Sequence, residues 1–219
     1  YLAQNKFDES ESSDVILDFG GPIIRDRLFV FGLYNFRDRE NVNIGTTTVD
    51  PAFGPGSNGT RVTSDDPFYG AKVDFLITDD HRLEFTYFSD EQTQSTENIF
   101  VDASGNQIGS FTPSTFEFGG DNYIGRYTGV WTDWLTTSIA YGVNNYSERF
   151  SSPGDSGALI TDQLPGFPRR GIWGVGQPSF NEDERTIFRA DVDIYADFFG
   201  SHHFRLGYDS EQLEAFQQL

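Results

Sequence analysis

The chain has 219 residues and a formal net charge of -19, with 34 acidic residues against 15 basic ones. That balance argues against nucleic acid as a partner, because phosphate binding rests on clustered Lys and Arg, and the absence of cysteine excludes disulfides, thiolate metal sites and thiol nucleophiles. Aromatic residues make up 16% of the chain, too many for a disordered acidic tail, and no apolar run is long enough for a transmembrane helix, which leaves open a transmembrane β-barrel whose lipid face hides in alternation.

The chain opens Tyr1-Leu2-Ala3 and contains no Met, so a processed product or a fragment is expected. From there, runs of about ten residues recur in pairs around tight turns. Val15 to Gly20 and Leu28 to Arg37 flank Gly21-Pro22. Phe68 to Ile77 and Arg82 to Asp90 flank Thr78-Asp79-Asp80-His81. Asn122 to Thr132 and Leu135 to Tyr146 flank Asp133-Trp134, and Arg185 to Phe198 and His203 to Glu211 flank Phe199-Gly200-Ser201-His202. Asp, Gly, Ser and Pro suit these turns by tolerating φ > 0, bonding their own backbone or fixing φ. Residues 38–66, 91–121 and 147–184 are rich in Gly, Ser, Asn, Thr, Asp and Pro and read as long loops. Strict alternation of short and long connections places every short turn at one end of an antiparallel sheet, as in outer-membrane barrels.

Each strand separates its charges from its apolar residues. Tyr69, Ala71, Val73, Phe75 and Ile77 share one face and Lys72 and Asp74 the other. Leu83, Phe85 and Tyr87 oppose Arg82 and Glu84. Phe188, Val192 and Ile194 oppose Arg189, Asp191 and Asp193, and Phe204, Leu206 and Tyr208 oppose Arg205 and Asp209. An Arg or Lys facing lipid at mid-depth costs roughly 2–4 kcal/mol, so strict segregation is what a bilayer enforces. A soluble antiparallel sheet with one wet face also alternates. Strands near ten residues favour a membrane crossing, since soluble strands average about five or six. Trp131, Trp134, Phe198 and Phe199 beside short turns suit an interfacial belt and equally suit the cap of a soluble core. The strand 28–37 departs from the pattern: Leu28, Val30, Tyr34 and Phe36 lie on one face and Phe29, Phe31 and Leu33 on the other.

The stretch Gly20-Gly21-Pro22-Ile23-Ile24-Arg25-Asp26-Arg27-Leu28-Phe29-Val30-Phe31 resembles a segment early in the barrel of TonB-dependent receptors, particularly the Oar-like group. Phe75 to Leu83 and Gly200-Ser201-His202-His203-Phe204-Arg205-Leu206-Gly207-Tyr208-Asp209 resemble later hairpins of that group, and the resemblance extends over nearly the whole chain. It implies a partial barrel over 1–219, beginning just inside the wall and ending before closure, without the N-terminal plug or the coupling motif. It also implies residence in the outer membrane of a Gram-negative bacterium, import of a scarce or bulky nutrient such as a siderophore, oligosaccharide or peptide, and partnership with a TonB-type energy-coupling protein through the N-terminal part. The double-apolar strand then faces the plug.

The expected fold is therefore all-β: an antiparallel up-and-down transmembrane β-barrel segment of about eight strands in four hairpins. Lys72, Asp74, Arg82, Glu84, Arg126, Arg189, Asp191, Asp193, Arg205 and Asp209 are expected to face the lumen. Tyr69, Val73, Phe75, Leu83, Phe85, Tyr87, Phe188, Val192, Ile194, Phe204, Leu206 and Tyr208 are expected to face lipid. No catalytic constellation or cofactor is expected. His81, His202 and His203 all sit at short turns, and the adjacent pair points to opposite faces, which makes poor co-ligands. Asp191, Asp193 and Asp197 read as members of a salt-bridged ladder, and Gly171 to Gly176 as loop. Phe53, Phe100, Phe111, Phe167, Trp173 and Phe180 suit stacking on sugars or peptides and equally suit packing of the loops. A secreted soluble all-β carbohydrate-binding module is the alternative, with its apolar faces buried against each other. A complete eight-stranded barrel is a third possibility, and it requires the first and last strands to pair.

Overall fold

The computed structural model describes residues 7–50, 53–110, 113–152 and 179–218. These form twelve strands and no helix: β1 (Glu9–Ile24), β2 (Leu28–Asp50), β3 (Gly54–Ser64), β4 (Phe68–Thr78), β5 (His81–Ser89), β6 (Gln92–Val101), β7 (Gln107–Ser110), β8 (Ser114–Gly119), β9 (Asp121–Thr132), β10 (Leu135–Ser151), β11 (Ser179–Asp197) and β12 (Ser201–Gln218). All pairings are antiparallel and all strands belong to one sheet. The eight strands read from alternation are present as β1, β2, β4, β5, β9, β10, β11 and β12.

The segments 38–66 and 91–121 are not loops. They contain the far half of β2 and all of β3, β6, β7 and β8. The pairing explains why. β2 pairs β4 up to Asn35↔Phe68 and β3 from Arg39↔Ser64, with the same offset on both sides of the gap. The same holds where β5 and β6 meet β4 and β3, and where β9 and β8 meet β5, β6 and β10. Each extension therefore inherits its register from the strand below it. The twelve segments amount to eight long strands in simple up-and-down order, three of them interrupted at one level, at 65–67, at 90–91 and at Gly120, with β7 lying beyond β8 on the same side of β6. The closed circuit of pairing β10-β8-β6-β3-β2-β4-β5-β9-β10 runs around this seam within the sheet. It does not join the sheet's ends, because β1 pairs only β2 and β12 pairs only β11. The pairing of first and last strands that a complete eight-stranded barrel requires is absent among the described residues.

Short turns lie at one end, as expected, but the first is at Arg25–Arg27 and not around Gly21-Pro22, which pair inside β1 with Val30 and Phe29. Asp26 takes φ 56° in the first, and Phe199 and Gly200 take φ 53° and 129° in the last. Arg27 links neighbouring turns by donating to the Ile77 carbonyl at 2.9 Å. Buried apolar residues are few and lie mostly beyond the seam, where Val42, Ile44, Ile99 and Val101 form a small core that Phe7 packs against. On the opposite parity Phe100 is fully buried and stacks on Phe53 at 5.6 Å. These two rings thus pack the extensions together. Phe111, Phe167, Trp173 and the Gly171–Gly176 stretch lie outside the described residues.

Candidate functional site: a two-faced strand wall

Register assembles the predicted residues into two continuous faces. On the charged face one row runs across the sheet as Asp74↔Glu84↔Arg126↔Ala140↔Arg189↔Asp209. Lys72 and Arg82 lie one step from it on β4 and β5, and Asp191, Asp193 and Arg205 beside it on β11 and β12. All ten expected lumen residues share this face. On the other face the rows are Val73↔Phe85↔Gly125↔Tyr141↔Phe188 and Phe75↔Leu83↔Tyr127↔Ile139↔Ala190↔Tyr208. Val192↔Leu206 and Ile194↔Phe204 continue it, so all twelve expected lipid residues share that face.

The charged face is held by ion pairs. Lys72 Nζ lies 3.4 Å from Asp74 and 3.3 Å from Glu84, and Arg82 lies 3.0 and 3.2 Å from the same two carboxylates. Asp191 receives Arg189 at 2.8 Å and Arg205 at 3.5 Å. Gly207 makes room for this pairing, because a Cβ there would stand 2.9 Å from Asp191 Oδ1. The salt-bridged ladder read for this strand is thus present at Asp191, and Asp193 binds His203 at 2.7 Å, whereas Asp197 takes a hydrogen bond from Ser201 in the turn. Both faces of this single sheet are open: Phe85 is 48% and Leu206 65% exposed on the apolar face, and the Arg189 and Arg205 side chains are 52% and 58% exposed on the charged face, where Asp191 beneath them is buried.

Two aromatic rows border the apolar face, and only one end was foreseen. At the short-turn end, His81 lies 5.0 Å from Trp131 and its Nδ1 meets the Tyr127 hydroxyl at 2.7 Å. Trp131 Nε1 donates to Thr137 Oγ1 at 2.8 Å, Trp134 is exposed, and His202 stacks on Phe198 at 4.5 Å. His203 points to the opposite face and stacks on Tyr195, so the adjacent histidines diverge as expected. Just short of the seam, Tyr34, Tyr69 and Tyr87 form a second row with centroids 6.1 and 6.2 Å apart, continued by Tyr123. Phe188 and Tyr208, 6.2 Å apart, lie one and two steps nearer the short turns than that row. Tyr123 and Trp131 are eight residues apart on β9. At about 3.3 Å per residue this is roughly 26 Å of strand, or near 20 Å of height at a tilt of about 40°. An outer-membrane apolar band is about 25 Å tall. Sequence alone could not reveal the tyrosine row, because its members sit on different strands and meet only through register.

The double-apolar strand is confirmed in geometry. Leu28, Val30 and Tyr34 pair with Phe75, Val73 and Tyr69 on the apolar face, whereas Phe29 and Phe31 stand opposite Asp74 and Lys72 on the charged face. Beyond the seam, Arg149 lies 5.2 Å over the Phe180 ring and 3.8 Å from Glu117. In the β6–β7 turn Asp102 accepts from the Asn106 side chain and from the backbone of Ser104 and Asn106. The Asn106 side-chain bond, followed by its backbone N–H, holds the Asp102 carboxyl below its usual range. Among the described residues no three His, Cys, Asp or Glu side chains converge as a metal site. Comparison with protein-family models, curated proteins and solved structures returned no match.

Proposed function

We propose that this chain is a wall segment of an outer-membrane TonB-dependent receptor of the Oar-like group, in the outer membrane of a Gram-negative bacterium. The observation that carries the reading is an uncovered apolar band: open Phe, Leu and Tyr side chains bordered by aromatic rows on one face of the sheet, backed by a face of paired charges on the other. Tyr and Trp favour the headgroup level, where an apolar body and a wet tip are both accommodated. The ten charged residues are five cations and five carboxylates, so the lumen wall is balanced and the chain's acidic excess lies elsewhere. The Gly20–Phe31 resemblance supplies the class. External extensions together with a plug bind a scarce or bulky nutrient (siderophore, oligosaccharide or peptide), and a TonB-type protein draws the plug to open a path. Phe29 and Phe31 would pack against that plug. A soluble carbohydrate-binding module needs the apolar faces enclosed, and none of the described residues covers Phe85 or Leu206.

These 219 residues contain no cysteine, so with any cysteine outside them replaced, single cysteines report their own position. Single cysteines at Phe85 and Thr86, in the full-length protein in isolated outer membranes, are exposed to a water-soluble and to a lipid-soluble maleimide. Thr86→Cys should react with the first and Phe85→Cys with the second only. Equal reaction of both with the water-soluble reagent would overturn the assignment.

A further inference from the structure

Arg126 differs from the other lumen-wall cations. Its register neighbours are Glu84 on one side and Ala140 on the other. The Glu84 carboxylate is already held by Lys72 and Arg82, which also neutralise Asp74. Ala140 offers only a methyl group, and Arg189 beyond it is engaged by Asp191. Among the described residues no carboxylate lies within ion-pair distance of Arg126. Three cations against two carboxylates leave a local surplus of positive charge in a chain of net charge -19. Beside Arg126 is an open cavity of about 180 Å³ lined by Lys72, Glu84, Thr86, Ile124 and Arg126. It joins a guanidinium, an ammonium and a hydroxyl donor on one patch of wall. A guanidinium fork matches the two oxygens of a carboxylate or phosphate, and such charge-assisted pairs are about twice as strong as neutral ones.

We infer that Arg126, with Thr86 and Lys72 beside it, is an oxyanion subsite on the lumen wall, taking a carboxylate or phosphate. The inference rests on the proposed placement of the charged face in the lumen. The oxyanion has two sources, a free solute in transit or an acidic side chain of polypeptide inserted into the lumen.

The test uses the full-length protein with a solvent-sensitive fluorophore on Ser138→Cys, which shares the charged face with Arg126. Titration with inorganic phosphate should give a saturable signal whose half-saturation rises at least tenfold in Arg126→Gln, less in Arg126→Lys, and about threefold in Thr86→Val. A photo-crosslinking residue at Ser138 in intact cells forms the second arm. A phosphate response lost in Arg126→Gln identifies a free oxyanion. No phosphate response, with a crosslink to polypeptide that Arg126→Gln abolishes, identifies an acidic side chain. Neither result, in protein that retains its boiling-dependent gel shift and the Thr86/Phe85 labelling contrast, overturns the subsite while leaving the membrane assignment intact.

Discussion

Val192 and Ser138 lie at nearly one depth on opposite faces, since Val192 pairs with Thr137 and Ser138 with Asp191. That makes them a matched pair for asking which face meets hydrocarbon. Val192→Arg should lower stability in lipid vesicles by about 2–4 kcal/mol, the cost of a guanidinium near the bilayer midplane. Ser138→Arg puts the same group beside Asp191 and should cost under about 1 kcal/mol. Urea midpoints at a common slope read the difference, and equal costs would remove the physical basis for a lipid-facing side. Beyond the seam, in the part the proposal places outside the membrane, a turn carboxylate carries a pH dependence. The lowered carboxyl of Asp102 means that folded turn holds the charged form more tightly than the unfolded chain does. Its contribution is complete above the ordinary carboxylate range and is lost as pH falls through the lowered value. Amide protection at Ser104 and Asn106, corrected for intrinsic exchange, should therefore persist through pH 5 and fail only below about pH 4. Asp102→Asn should remove that pH dependence, and protection that declines already near neutrality would contradict the account.

At the scale of elements, the seam divides each interrupted strand into parts stabilised by different means. Below it, β4, β5 and β9 are continuous ladders between unbroken β2 and β10. At the seam, side chains replace the ladder: Arg37 Nε donates to the Asp66 carbonyl at 3.0 Å, Thr93 N–H donates to the Asp66 carboxylate, and Gly120 N–H donates to Asp90 Oδ1 at 3.1 Å. Gly119 adopts φ 107°, which a Cβ would strain, so the break is built into the backbone. Native-state hydrogen exchange should show β3, β6, β7 and β8 opening at lower free energy than β4, β5 and β9, as a separate cooperative unit. Gly119→Ala should lower the former further by about 1–2 kcal/mol and leave the latter unchanged. One shared opening energy would refute the division. The same boundary explains what could be read in advance. Val73, Phe85, Val192 and Leu206 alternate strictly with charged or polar neighbours, as the proposed contact with hydrocarbon would require, so those strands and both faces are legible from period two alone. Outside the proposed band no such constraint acts, and Gly54-Pro55-Gly56-Ser57-Asn58-Gly59 reads as loop although most of it pairs with β2, Gly54 to Ser57 one residue out of the register handed up by β4 because of a bulge between Ile44 and Thr47. Arg126 was legible as a member of the charged face, but its surplus charge was not, because it depends on which neighbours Glu84 has already satisfied.

For the molecule as a whole, the decisive feature is that the sheet is open among the described residues. β1 and β12 each have one paired side, and both carry the alternation of interior strands, with Val15, Leu17 and Phe19 on β1 and Phe204, Leu206 and Tyr208 on β12 turned to the apolar face. An edge in water is covered by solvent or blunted by charge. An edge in hydrocarbon leaves each backbone N–H and C=O without a partner, at several kcal/mol per group. Even about five such groups per edge would exceed the roughly 5–15 kcal/mol that holds a whole domain folded. The 219-residue chain alone should therefore fail to insert as a cooperative unit, giving no boiling-dependent gel shift and a broad, weak melt in micelles, whereas the same residues within a closed wall should melt sharply. Tryptophan emission from Trp131 and Trp134 at the aromatic border reports the difference directly, blue-shifted in the closed wall and solvent-like in the isolated chain. A sharp transition with blue-shifted emission from the isolated chain would mean that β1 and β12 find partners without further strands, and the wall-segment reading would have to give way to a self-closing assembly.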